Sequence, residues 1–329
     1  MAMTEFVHDA MPAMQPLRVE VMAGAGFELL IGLSSLTGPE GSLEGSSPGL
    51  RRAVERVGVR SGELWLHLLG VALDHPDDVV AGVQALDGTE LRRHLTGVYV
   101  PAWRTVAGLE ALEATATGDP GLLDHDRYYA GQARASLELL LPLTPAQTKR
   151  RVLDVLTRYQ GELFDRGVVA ELERDAAAKR RLAVSPEELI EIAAGGYRYE
   201  PEPELGTVAL IPHLAGRPWL LLCQHDRTRI ICYPVPEEER LEERALLLGR
   251  ALGDEGRVRM LRVLATRDAS LAELAEAAGV AKSTAHHHLA QLRRAGLVTM
   301  HGNARAYWFT LRAEGLADAR RLLADLSAP

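Results

Sequence analysis

At 329 residues the chain is long enough for two domains, and its composition, 47% apolar and 25% charged, is that of an ordinary globular protein. The opening MAMTEFVHDAMPAMQ has no basic segment leading into an apolar core, so no signal peptide is expected, and the longest apolar stretch, 23–36, is interrupted by Glu28 and too short to span a membrane. Two cysteines, Cys223 and Cys232, suit a cytosolic chain with reduced thiols. The net charge of −8 speaks against a nucleic-acid partner until it is mapped: residues 240–329 hold 14 of the 37 basic and 10 of the 45 acidic side chains, a net of +4, leaving 23 basic and 35 acidic, a net of −12, before them.

In chain order, 1–16 reads as irregular, and LRVEVM (17–22) alternates like a strand. Helical periodicity dominates from 24 to about 195, interrupted by a Gly/Ser/Pro loop at 38–49. Segments 77–86, 103–114 and 145–182 are the clearest helices, the last open to division near Gly161 and Gly167. TVALI (207–211), WLLLC (219–223) and RIIC (229–232) then predict three short strands of a small antiparallel sheet, closed by Pro234-Val-Pro236. A domain boundary is expected there, giving a helical N-terminal domain with a small sheet (1–236) and a C-terminal domain (237–329). The fold class is mainly α with small β elements, α+β.

The C-terminal spacing is specific. After a helix at 241–252, Asp254 is placed to cap the next. Ser270-Leu-Ala-Glu273 is a capping box opening a short helix, 271–278. Gly279-Val280 is the turn, and a helix from Lys282 to Arg294 follows with Ala285, Leu289 and Leu292 inward. A hairpin with a two-residue turn at Gly302-Asn303 and a last amphipathic helix, 314–326, complete the pattern of a winged helix-turn-helix. With that core stripe, Ser283, His286, His287 and Ala290 fall on or near the outer face. Ser283 and Thr284 are placed for phosphates at the helix N-terminus beside Lys282, one of three lysines in the chain. His286 and His287 are placed for base edges, Gln291 and Arg294 for the backbone, and His301, Asn303 and Arg305 of the wing for phosphates or the minor groove. His288 reads as a packed histidine at the helix–core junction.

LGDEGRVRML (252–261) and STAHHHLAQLRRAGLV (283–298) resemble the ArsR/SmtB family of bacterial regulators, over about 241–326. The resemblance implies a homodimeric regulator of double-stranded DNA, by family habit a repressor, reading an inverted-repeat operator. Family members usually carry a small polar residue where this chain has Ala281, so a cap weaker by about 1 kcal/mol is expected. The family's metal sites, cysteines on the first helix of the pair or Asp/His sets on the last helix, are absent from 271–278 and from the residues beyond His301.

The sequence offers hints of other chemistries. Three consecutive histidines, 286–288, point about 100° apart and cannot converge on one ion. His213, Cys223, His225 and Cys232 fall on or near neighbouring strands and offer a metal or redox alternative, against plain core packing of the two cysteines. Gly24-Ala-Gly26 after the first strand is a fragment of a nucleotide loop with Leu29 where the third glycine belongs; with no other catalytic motif, the chain does not read as an enzyme, and no cofactor is expected. The N-terminal domain is expected to bind a small organic effector, through aromatics such as Trp65, Trp103, Tyr128 and Tyr129, or to act as a protein-interaction module.

Overall fold

The structure is a computed structural model, and it describes residues 17–38, 41–119, 121, 132–236, 241–303 and 306–325. It is mainly helical with two small sheets, the α+β class expected. Among the described residues, no helix is long and apolar enough to cross a membrane.

The larger sheet joins β1 (Arg18–Val21), β3 (Thr207–His213), β5 (Thr228–Pro234) and β4 (Leu221–His225) in that spatial order; β2 (Arg198–Tyr199) lies elsewhere. The expected antiparallel pairing holds for β4 with β5, but β1–β3 and β3–β5 are parallel, so the sheet is mixed. The reason is topological. β5 inserts between β3 and β4, so residues 214–220 must cross over its end, a span of about 10 Å at a strand spacing of about 4.8 Å. Burial on both faces explains why these strands are continuous apolar runs. Ala209, Ile211, Ile230 and Cys232 face a first core built with the helices between residues 25 and 162. Val208, Leu210, Ile231 and Tyr233 face a second core, which also takes in Ile190, Tyr197, Leu248, Leu289 and Phe309.

The longer expected helices are divided, one of them by a glycine. The stretch 103–114 becomes Pro101–Ala107 and Leu109–Thr117, because Gly108 takes φ 84° between them. The stretch 145–182 becomes Pro145–Glu162 and Val169–Arg180. The C-terminal elements follow the sequence reading closely: Leu241–Leu252, Glu255–Leu264, Leu271–Ala278, Lys282–Arg294, β6 (Val298–Gly302), β7 (Tyr307–Leu311) and Ala313–Asp325. The wing turn is longer than two residues, since β7 begins only at Tyr307.

One pairing was invisible in the sequence. β2 adds to the wing in parallel, Arg198 opposite His301 and Tyr199 opposite Gly302, making a three-stranded sheet β2-β6-β7. The Tyr197 hydroxyl donates to the Gly302 carbonyl at 2.8 Å, and the Thr299 hydroxyl donates to the Gly196 carbonyl.

Candidate nucleic-acid interface

Local chemistry sets the two helices of the interface. Asp254 accepts from the Arg257 N–H at 3.0 Å and caps Glu255–Leu264. Ser270 accepts from the Glu273 N–H at 3.3 Å while the Glu273 carboxylate accepts from the Ser270 N–H at 2.8 Å, completing the capping box. These bonds, the backbone N–H first, hold the Glu273 carboxyl down to about 2. Gly279 closes the helix in the left-handed region at φ 71°, ψ 34°, a conformation that costs glycine nothing and turns the chain into the next helix. Ala281 then stands at the N-cap with no side-chain bond, as the missing polar residue implied. Ala285, Leu289 and Leu292 are buried beneath Lys282–Arg294.

The first turns of this recognition helix are open. Lys282, Ser283, Thr284 and His286 are exposed, as is Arg294 at the far end. His287 is half-buried, and its Nε2 accepts from Gln291 Nε2 at 3.0 Å. His288 sits against the preceding helix, Nδ1 3.1 Å from Arg257 Nη1 and Nε2 3.7 Å from Asp254 Oδ1. His301 lies between carboxylates, Nε2 2.8 Å from Asp268 Oδ2 and Nδ1 3.7 Å from Glu200 Oε1, and stacks on Trp308 at 5.7 Å. That acidic surrounding suits a phosphate poorly. Asn303 shapes the wing turn, its N–H donating to Ala306 O at 2.9 Å. Arg305 lies outside the described residues.

Trp219 is what the sequence reading missed. Its indole stacks on His286, centroids 4.7 Å apart and planes 2° from parallel, and touches His287 at 6.0 Å. Ala290, expected on the outer face, is buried there, because Trp219, Leu220 and Leu222 close over the later part of that face. Trp219 is carried by the segment that crosses the end of β5. Buried Glu28 accepts from the N–H groups of Leu214 and Ala215, at 3.1 and 2.7 Å, its own pKa raised by desolvation. The His213 ring contacts the Trp219 carbonyl through Nε2 at 3.1 Å, and burial pulls its pKa down to about 4. A neutral ring makes Nε2–H the donor. Arg217 Nε donates to Val235 O at 2.9 Å. Gly216 is required by close approach: a Cβ there would lie 2.8 Å from Ile31 Cγ2. No local signal reveals the Trp219–His286 contact, which joins residues far apart in the chain.

The other candidates separate. Trp65 is fully buried, its indole N–H shared between the hydroxyls of Thr37 and Ser61 at 3.1 Å each, and is a core residue. Trp103 is half-buried against the same core. Tyr128 and Tyr129 lie outside the described residues. His213 pairs with Pro234 at one end of the sheet and His225 with Thr228 at the other, about 20 Å away at about 3.3 Å per residue. His225 instead stacks on His94, at 5.3 Å. Cys223 lies opposite Ile230 and Cys232 opposite Leu221, and burial raises the first thiol to about 12 and the second well above its usual range. Neither favours a thiolate. Among the described residues, no group of three or more His, Cys, Asp or Glu side chains is placed to hold a metal ion.

Comparison with known proteins agrees with this geometry. Residues 254–300 match the family described as bacterial regulatory protein, arsR family. No curated protein and no solved structure matches the chain. The matched span begins at the Asp254 cap and ends in β6, so it contains the capping box, the Gly279 turn and the recognition helix. The chain thus carries, in its C-terminal part, an ArsR-family helix-turn-helix, the DNA-binding module of a transcription regulator.

Proposed function

We propose that the protein is a dimeric repressor that binds an inverted-repeat operator through Lys282–Arg294 and is released by a small organic effector acting on the N-terminal part, residues 1–236. The observation that carries the DNA reading is the exposed first turn of the recognition helix, Lys282 to Thr284, reached through the Gly279 turn from a capped first helix. In such pairs the N-terminal residues of the second helix contact base edges. On selected genomic fragments, binding should weaken steeply as salt rises, because basic contacts release counterions. Lys282→Ala should lower the salt slope by about one, whereas His287→Ala should cost about 1–3 kcal/mol at the preferred site and relax base preference. A mobility-shift series with no retarded complex at low salt removes the reading.

The covering by Trp219 supports regulation through the sheet. A recognition helix about 10–12 Å across fills a major groove about 12 Å wide, so it cannot enter with an indole stacked on its outer side. Withdrawal of 214–220 is the step an effector would control.

A second copy is the partner that fits the flanking helices. Leu246 and Leu252 on Leu241–Leu252 are 59% and 43% exposed, and Leu316 and Leu323 on Ala313–Asp325 are 46% and 56% exposed. Large apolar side chains concentrated on two contacting helices mark an interface. Pairing through them would set the two recognition helices about 34 Å apart, one turn of DNA. Light scattering should give twice the 35.8 kDa chain mass. Leu246→Glu combined with Leu323→Glu should halve it, and an unchanged mass would place the interface elsewhere.

A further inference from the structure

A cavity of about 240 Å³ lies beneath Trp219, between the β4 edge of the sheet and the recognition helix. Trp219 and Leu222 wall it from the sheet, His286 and Arg293 from the helix, and Tyr307 and Phe309 from the wing. Among the described residues, no carboxylate lines it. Among the described residues Arg293 is its one permanent cation, and that cation is poorly satisfied. Among the described residues its guanidinium reaches only the Ala194 carbonyl, 3.5 Å from Nη2, while the buried Nε has no partner. Burial pulls its pKa down to about 10. An arginine taken from water without an anion is costly, and a carboxylate is the group whose geometry matches the guanidinium fork.

Size and lining narrow the ligand. A cavity of about 150 Å³ accepts a benzene ring, so this one has room for two fused rings. Aromatic walls with a single charged anchor are the usual composition of a small-molecule site, the apolar part giving affinity and the anchor giving orientation. We propose that this cavity binds a planar aromatic carboxylate of one or two fused rings, its rings among Trp219, Tyr307 and Phe309 and its carboxylate on Arg293. This deepens the effector reading above and rests on it. Because the walls come from the sheet, the helix and the wing together, the ligand binds only the covered form and holds the recognition helix out of the groove by its differential affinity.

The test titrates the free full-length protein, without DNA, with 2-naphthoate and with its neutral isostere 2-naphthamide, read by calorimetry. The acid should bind at least tenfold more tightly than the amide. Arg293→Gln should remove that difference, with the thermal melting curve as the check of folding. Ala290→Phe, which fills the cavity while keeping the arginine, should abolish binding of both. Arg293 also borders a neighbouring cavity of about 250 Å³ beside Pro218 and Val235. Acid binding that survives Ala290→Phe but not Arg293→Gln would put the ligand there and overturn the proposal, as would equal affinity for acid and amide or no binding of either. A DNA arm separates the two readings: binding to the free protein without displacement from the operator leaves the site standing and defeats its role as the effector site.

Discussion

Glu202→Ala is expected to lower the stability of the folded chain by about 3–5 kcal/mol, the cost of leaving a buried charge without its partner. Glu202 is only 4% exposed and Arg229 3%. The pair is tightly made: Glu202 Oε1 accepts from Arg229 Nε at 2.9 Å and from Nη2 at 2.7 Å, and Oε2 accepts from Nη2 at 2.8 Å. The Tyr199 hydroxyl adds a bond to the same carboxylate at 3.3 Å, and Arg229 Nη1 donates to the Cys223 carbonyl at 2.9 Å. Alanine at 202 strands the guanidinium inside the protein, and its remaining neutral partners, the Cys223 carbonyl and the Gln224 side-chain oxygen at 3.4 Å, are no substitute for a bidentate carboxylate. The pair replaced as a whole, Glu202→Leu with Arg229→Met, should cost far less, because neither charge then needs water. Urea denaturation of the two variants decides it. A single variant within about 1 kcal/mol of the parent would mean the pair is solvated, since exposed pairs contribute about that much.

Trp219→Ala is expected to tighten operator binding by on the order of tenfold. An aromatic stack contributes about 0.5–1.5 kcal/mol, and the apolar area Trp219 covers adds a comparable amount. Where the covered form predominates, apparent affinity for DNA is reduced by the fraction of chains with the helix uncovered, so removing that contribution raises affinity by the same factor. Mobility shifts of both proteins on one fragment at one salt concentration measure it. Unchanged affinity would show that the indole and the duplex do not compete. Weaker affinity would show that Trp219 belongs to the DNA-bound form.

The sequence by itself determined the helix-turn-helix. Its signals are local: Asp254 and Ser270 cap helices within three residues of themselves, Gly279 is needed for a left-handed turn, and Ala285, Leu289 and Leu292 repeat at helical spacing. Even the missing cap at Ala281 was legible, since a cap bond is made or lost by one side chain. The apolar runs likewise announced strands, because burial on both faces demands them.

Only the tertiary structure decided how those strands pair and what covers the recognition helix. Strand direction depends on where the connecting segment goes, and nothing in residues 214–220 states that they cross over β5 rather than fold back as a hairpin. From sequence the outer face of the recognition helix reads as a DNA-facing surface, because its polar residues lie opposite the core stripe; Trp219 and the buried Ala290 show that part of it meets the sheet. Trp65 reads from sequence equally as a ligand contact or as core, and the structure buries it fully, since an indole looks the same in either role until its neighbours are known. Helix caps and turns are fixed within a few residues of sequence, while β2 on the wing, the Glu202–Arg229 pair and the cavity at Arg293 are set by contacts between distant segments, which a one-dimensional pattern cannot carry.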